Sequence, residues 1–89
     1  MPLVDFTPHL KRYAKCDAQE VGGTTVGEAL NAVFEDNSVL RGYVLDEHGA
    51  LRHHMVIFVD GEPVQDRRKL SDPVSAQGRV LVMQALSGG

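Results

Sequence analysis

Met55-Val56-Ile57-Phe58-Val59-Asp60-Gly61 is the stretch that decides the fold. A dense β-forming run ends directly in Asp-Gly, the dipeptide favoured by two-residue hairpin turns because both positions tolerate a positive φ. Side chains alternate along a strand, so Met55, Ile57 and Val59 share one face while Val56 and Phe58 share the other. Residues 62–65 then return as a short edge strand, polar residues 66–71 connect, and Gly78 leads into a last strand over residues 79–85. If Val80 and Val82 point inward, Leu81 and Met83 project outward beside Phe58, and the three read equally as an apolar docking patch or as ordinary core and scattered surface residues.

Upstream, residues 3–6 are short and mostly apolar and read as a strand that Pro8 ends in a turn. Residues 11–21 are polar, with Tyr13, Ala18 and Val21 as core candidates; a second strand ends near Val21 and pairs with the first as a hairpin. Thr25-Val26-Gly27-Glu28 has the form of a capping box, in which the Thr hydroxyl accepts the N3 amide and the Glu reaches back. A helix starts there, places Val26, Leu30, Val33 and Phe34 on one face, and ends near Asn37. Residues 39–54 mix apolar residues with Gly42, Asp46, Glu47, His48 and Gly49, which suits an irregular connection.

Strand, strand, helix, strand, short strand, strand is the order of a β-grasp: an α+β fold with a mixed sheet of about five strands on one main helix. Residues 1–85 are expected to form this domain and residues 86–89 a flexible tail. The 89 residues suffice for one core but leave little room for an internal cleft. Nine Lys and Arg against twelve Asp and Glu, scattered apart from Arg67-Arg68-Lys69, give no basic footprint for nucleic acid. No run is long enough to span a membrane, no signal-peptide pattern opens the sequence, and Cys16 is the only cysteine, so a reducing cytoplasm is the expected compartment.

The β-grasp order together with Asp60-Gly61, Leu70, Pro73-Val74, Gly78, Val80 and the terminal Gly88-Gly89 resembles the small ubiquitin-like sulfur carriers. These include the small subunit of molybdopterin synthase and the carriers of thiamine and cysteine synthesis. The segment over residues 39–54 is more similar in length to the molybdopterin and cysteine-pathway members. Two features depart from the family pattern. Met83-Gln84-Ala85-Leu86-Ser87 lacks the Pro that commonly precedes the two glycines, and Arg79 follows Gly78 where acidic residues are usual.

The resemblance implies that the carboxylate of Gly89 is the reactive group and that the chain is a co-substrate, not an enzyme, with no bound cofactor. A terminal carboxylate, with a pKa of ~3.5, is ionised at neutral pH and is a poor electrophile until activated. An ATP-dependent, ubiquitin-activating-like enzyme is then expected to adenylate Gly89. A persulfide sulfur displaces AMP, and the terminal thiocarboxylate supplies sulfur to an acceptor synthase. Gly88 and Gly89, without Cβ atoms, suit a narrow channel, and Leu86 and Ser87 join Phe58, Leu81 and Met83 as expected partner-binding residues. Two other classes share the fold: a modifier conjugated to lysines through the same terminus, and an interaction module that makes no chemical use of it.

The remaining reactive side chains are read as structural. His48, His53 and His54 lack partners at recognised ligand spacing, so no metal site is expected. Cys16 has no neighbour in sequence that would lower its pKa, and Arg67-Arg68-Lys69 reads as a solvated turn. No Ser-His-Asp or paired-carboxylate set is present.

Overall fold

The computed structural model describes residues 1–11 and 17–84. The elements are β1 (Leu3–Phe6), α1 (Pro8–Lys11), β2 (Gln19–Glu20), α2 (Val26–Phe34), α3 (Ser38–Val44), β3 (Met55–Val59), β4 (Glu62–Pro63) and β5 (Arg79–Gln84). The five strands form one sheet in the order β2-β1-β5-β3-β4. β1 runs parallel to β5, Leu3 opposite Arg79 and Phe6 opposite Val82, and every other pairing is antiparallel. This is a β-grasp: the first and last strands meet at the centre and α2 crosses one face.

The β3–β4 hairpin forms as its sequence requires. Val59 pairs with Glu62 across Asp60 and Gly61, and both turn residues have positive φ, 51° and 86°. That combination is the turn whose twist matches the flanking strands. Alternation then fixes the inner face: Val4, Phe6, Met55, Ile57, Val80 and Val82 are all at most 2% exposed.

α2 supplies the opposing surface through Val26, Leu30, Val33 and Phe34, joined by Ala29. Its N-terminus is capped by Thr25, whose Oγ1 accepts the Glu28 amide at 3.2 Å. Glu28 Oε1 reaches back to the Thr24 amide at 2.7 Å and accepts the Thr24 hydroxyl at 3.1 Å. These hydrogen bonds, the Thr24 amide first, hold the Glu28 carboxyl below its ordinary pKa. Gly23 precedes the cap at φ +129°, where a Cβ would lie 2.9 Å from both the Ala29 nitrogen and the Glu28 Cβ.

Four expectations are corrected. Pro8 does not end β1 in a turn but opens α1, at a position where its missing N–H leaves no bond unmade. Ala18 is exposed rather than in the core, whereas Val21 is buried. α2 ends at Phe34, three residues before Asn37. Finally, residues 39–54 are not irregular throughout. Asn37 Oδ1 accepts the Leu40 amide at 3.1 Å and caps α3, which buries Leu40 and Val44 at helical spacing. A turn bridged by Leu45 and Leu51 follows, organised by Asp46 Oδ1 accepting the His48 and Ala50 amides at 2.8 and 3.0 Å. Those bonds, the Ala50 amide first, lower the Asp46 pKa.

The connection before β5 is ordered in the same manner by two carboxylates, of which Asp72 accepts the Gln65 and Asp66 amides at 2.9 and 2.8 Å. Asp66 accepts the amides of Arg68, Lys69 and Ser71 as well as the Ser71 hydroxyl. With the Lys69 amide as the leading cause, its pKa falls to about 2.

Candidate functional site

The candidate site lies on the outer face of the sheet, along β5. Because Val80 and Val82 are buried inward, Leu81 and Met83 stand on the opposite face, each half-buried. Register brings Phe58 of β3 opposite Leu81 on one side and Asp5 of β1 opposite Leu81 on the other. Met83 pairs with Val56. The result is an open groove of about 550 Å³ with Phe58, Leu81 and Met83 as its apolar surface and Asp5, Asp60 and Arg79 at its edge.

Each of the two carboxylates at the edge accepts one backbone amide through one oxygen. Asp5 Oδ1 accepts the Phe6 amide at 2.8 Å. Asp60 Oδ1 accepts the Arg79 amide at 2.9 Å, and the Asp60 amide returns a bond of 2.9 Å to the Arg79 carbonyl. This reciprocal pair ties the β3–β4 turn to the start of β5. The Arg79 side chain is exposed and forms no ion pair or hydrogen bond with any described residue.

Of the site residues expected from sequence, the structure brings Phe58, Leu81 and Met83 together, while Leu86, Ser87, Gly88 and Gly89 lie outside the described residues. Tyr13, Cys16 and Ala85 also lie outside them. The sequence reading took Asp60 only as a turn residue and did not place Asp5 or Arg79 beside the patch. Alternation on β1 carried the signal for Asp5, since Val4 and Phe6 inward leave it outward.

Of the other charged groups, one residue of the basic run serves the fold. Arg67, half-buried, donates from Nη2 to the Arg52 and Met55 carbonyls at 2.8 and 2.7 Å, so the first residue of the basic run is a latch rather than a solvated side chain. His53 and His54 meet edge to face at 5.5 Å, and exposed His48 sits 3.7 Å from Glu47. Among the described residues no group of three His, Cys, Asp or Glu is placed to hold a metal ion. No helix among them is long and apolar enough to cross a membrane.

A central strand that leads toward a Gly-Gly sequence, in a β-grasp with an apolar outer groove, defines a ubiquitin-like protein. The ThiS family matches residues 10–89, and the chain belongs to that family of small ubiquitin-like sulfur carriers, which are typically not themselves catalytic. Solved structures agree on the fold. SAMP1 from Haloferax volcanii is 24% identical, with a TM-score of 0.76 over 99% of this chain and 98% of that one. A chain of the Amycolatopsis orientalis BexX/CysO complex is 21% identical, with a TM-score of 0.81 and full coverage of both chains. CysO from Mycobacterium tuberculosis is 18% identical, with a TM-score of 0.79 over 97% of this chain and 100% of that one. No curated protein sequence matches the chain.

Proposed function

We propose that the chain carries sulfur as a thiocarboxylate on Gly89 and delivers it to a biosynthetic synthase for a cofactor, cysteine or another metabolite, in the cytoplasm. The observation that carries this reading is the ThiS family match extending through residue 89, the second residue of Gly88-Gly89. The chemistry follows from the inertness of a carboxylate. One Gly89 carboxylate oxygen attacks the α-phosphorus of ATP and pyrophosphate leaves, so the carbonyl acquires AMP as a leaving group. A persulfide on the sulfur donor attacks that carbonyl and expels AMP. A second thiol then cleaves the sulfur–sulfur bond, itself becoming oxidised to a disulfide, and leaves sulfur on Gly89.

In this scheme the folded domain supplies recognition and none of the bond-making groups. The outer groove supports that role: Leu81 and Met83, on the strand that runs toward Gly88-Gly89, and Phe58 on the neighbouring strand together offer an apolar surface. A relative solved as part of a BexX/CysO complex is consistent with a fold that works through a partner.

The test is intact mass spectrometry of the full chain after incubation with ATP, a persulfide donor and each adenylating enzyme of the host. A mass gain equal to sulfur replacing oxygen, localised to Gly89 and lost on deletion of Gly88-Gly89, is the expected result. A terminus that stays an unmodified carboxylate with every such enzyme refutes the reading. Lysine-linked adducts in cells, without thiocarboxylate, would identify a modifier instead.

A further inference from the structure

The three methionines of the chain hold their sulfur atoms in three different environments. Met55 is 1% exposed on the inner face of the sheet, Met1 is 67% exposed ahead of β1, and half-buried Met83 lines the open outer groove with Phe58 and Leu81. A thioether is oxidised where a peroxide can reach it, so Met55 is shielded while Met1 and Met83 are open to attack. Met1 belongs to no strand or helix. Of the three, Met83 alone combines access with a place among the side chains that make the apolar surface of the groove. Oxidation there changes that surface and spares the fold. Met83 is held in β5 by its backbone, paired with Val56 of β3, and its side chain stands on the face opposite buried Val82.

We propose that Met83 is a redox switch: its oxidation to the sulfoxide by a peroxide weakens recognition at the groove and so slows activation of Gly89. The proposal rests on the sulfur-carrier reading, in which the folded domain serves recognition. A lone pair of the Met83 sulfur attacks one oxygen of hydrogen peroxide and the O–O bond breaks. The departing hydroxide takes the proton of the transferred oxygen and leaves as water, so sulfur loses two electrons and the peroxide gains them. The product carries a polar S–O group where an apolar thioether stood. An apolar partner side chain offers that oxygen no hydrogen bond, so covering it costs affinity. Thiol-dependent methionine sulfoxide reductases, one for each sulfoxide epimer, return the thioether and reset the surface.

The experiment treats the full chain and Met83→Leu with hydrogen peroxide, then with a thiol reductant to reverse disulfides of Cys16, and removes both reagents before assay. Peptide mass spectrometry should find one added oxygen at Met83 well before any at Met55. ATP-dependent sulfur loading by each adenylating enzyme of the host is then measured for each chain before and after oxidation. KM of the native sequence should rise about tenfold, the scale of one apolar anchor lost, with kcat and thermal melting unchanged. Met83→Leu, whatever its starting KM, should keep that value after peroxide, although Met1 and Cys16 are present in both chains. The sulfoxide reductases should return the native chain to its starting KM. Oxidation of Met55 as fast as Met83, an unchanged KM, an equal loss in Met83→Leu, or a lowered melting temperature of the oxidised native chain each overturns the switch and leaves the carrier reading standing. Failure of every enzyme to load the untreated native chain overturns the carrier reading and the switch with it.

Discussion

Adjacent residues of β5 should separate folding from docking, because Leu81 and Val82 point to opposite faces of the same strand. Val82 is 0% exposed on the inner face of the sheet. Truncation to Ala removes two carbon groups at about 0.8 kcal/mol each, about 1.6 kcal/mol of transfer free energy. The residual cavity brings the cost to about 2.5 kcal/mol. For a domain of this size each kcal/mol lowers Tm by roughly 4–8 °C, so Val82→Ala should melt about 10–20 °C below the native chain. Leu81→Ala removes three carbon groups, but from a half-buried position, so about half of ~2.4 kcal/mol is lost and Tm falls by only about 5–10 °C. Sulfur loading reverses the ranking. At a temperature where both variants are folded, Leu81→Ala should raise KM for the adenylating enzyme about tenfold, whereas Val82→Ala should leave it near native. Thermal melts followed by circular dichroism, together with loading kinetics by mass spectrometry, measure the two quantities on the same samples. Equal destabilisation by both variants, or a native KM for Leu81→Ala, would refute the assignment of the outer face to docking.

Removing the helix cap with Thr25→Ala should cost about 1 kcal/mol, read from urea denaturation midpoints at unchanged slope. Gly23→Ala should cost more, on the order of 1–3 kcal/mol, because φ +129° excludes a side chain and the new Cβ would meet the Ala29 nitrogen at 2.9 Å. An equilibrium stability within error of native would show that the Gly23 backbone relaxes freely. For Asp66 the folded pKa lies at about 2, below the ~3.9 expected in the unfolded chain. Its stabilisation is therefore complete above about pH 4 and is lost as pH falls toward about 2. The lowered pKa values of Glu28 and Asp46 act in the same direction. Asp66→Asn should flatten this acid limb in a series of denaturant titrations against pH, and an unchanged limb would remove Asp66 from the account.

The parts of the fold that were legible in the sequence are those fixed by neighbours in the chain. Asp60-Gly61 after a β run specifies a hairpin locally, and Thr25 with Glu28 specifies a helix start within one turn. α3 was missed because Gly42 and the short apolar spacing hide a helix of only seven residues. Its signals were Asn37, which serves as a cap, and the Leu40–Val44 pair at i, i+4. Pro8 was misread for a related reason: the same fixed φ suits both a turn and the first position of a helix. Alternation placed Phe58, Leu81 and Met83 on one face, but the parallel register of β1 with β5 is set by tertiary packing. That register alone brings Asp5 across from Leu81, and the reciprocal bonds of Asp60 with Arg79 complete the edge.

The central position of β5 also makes the domain a mechanical handle. β5 pairs with β1 over residues 79–82 on one side and with β3 over residues 80–84 on the other. A pull applied beyond Gln84, along the strand axis, loads both ladders in shear, so many cross-strand hydrogen bonds share the force instead of opening one after another. A partner that grips and draws on the terminus would thus pull against the most firmly held strand of the sheet, and the carrier would leave its channel intact rather than unravel in it.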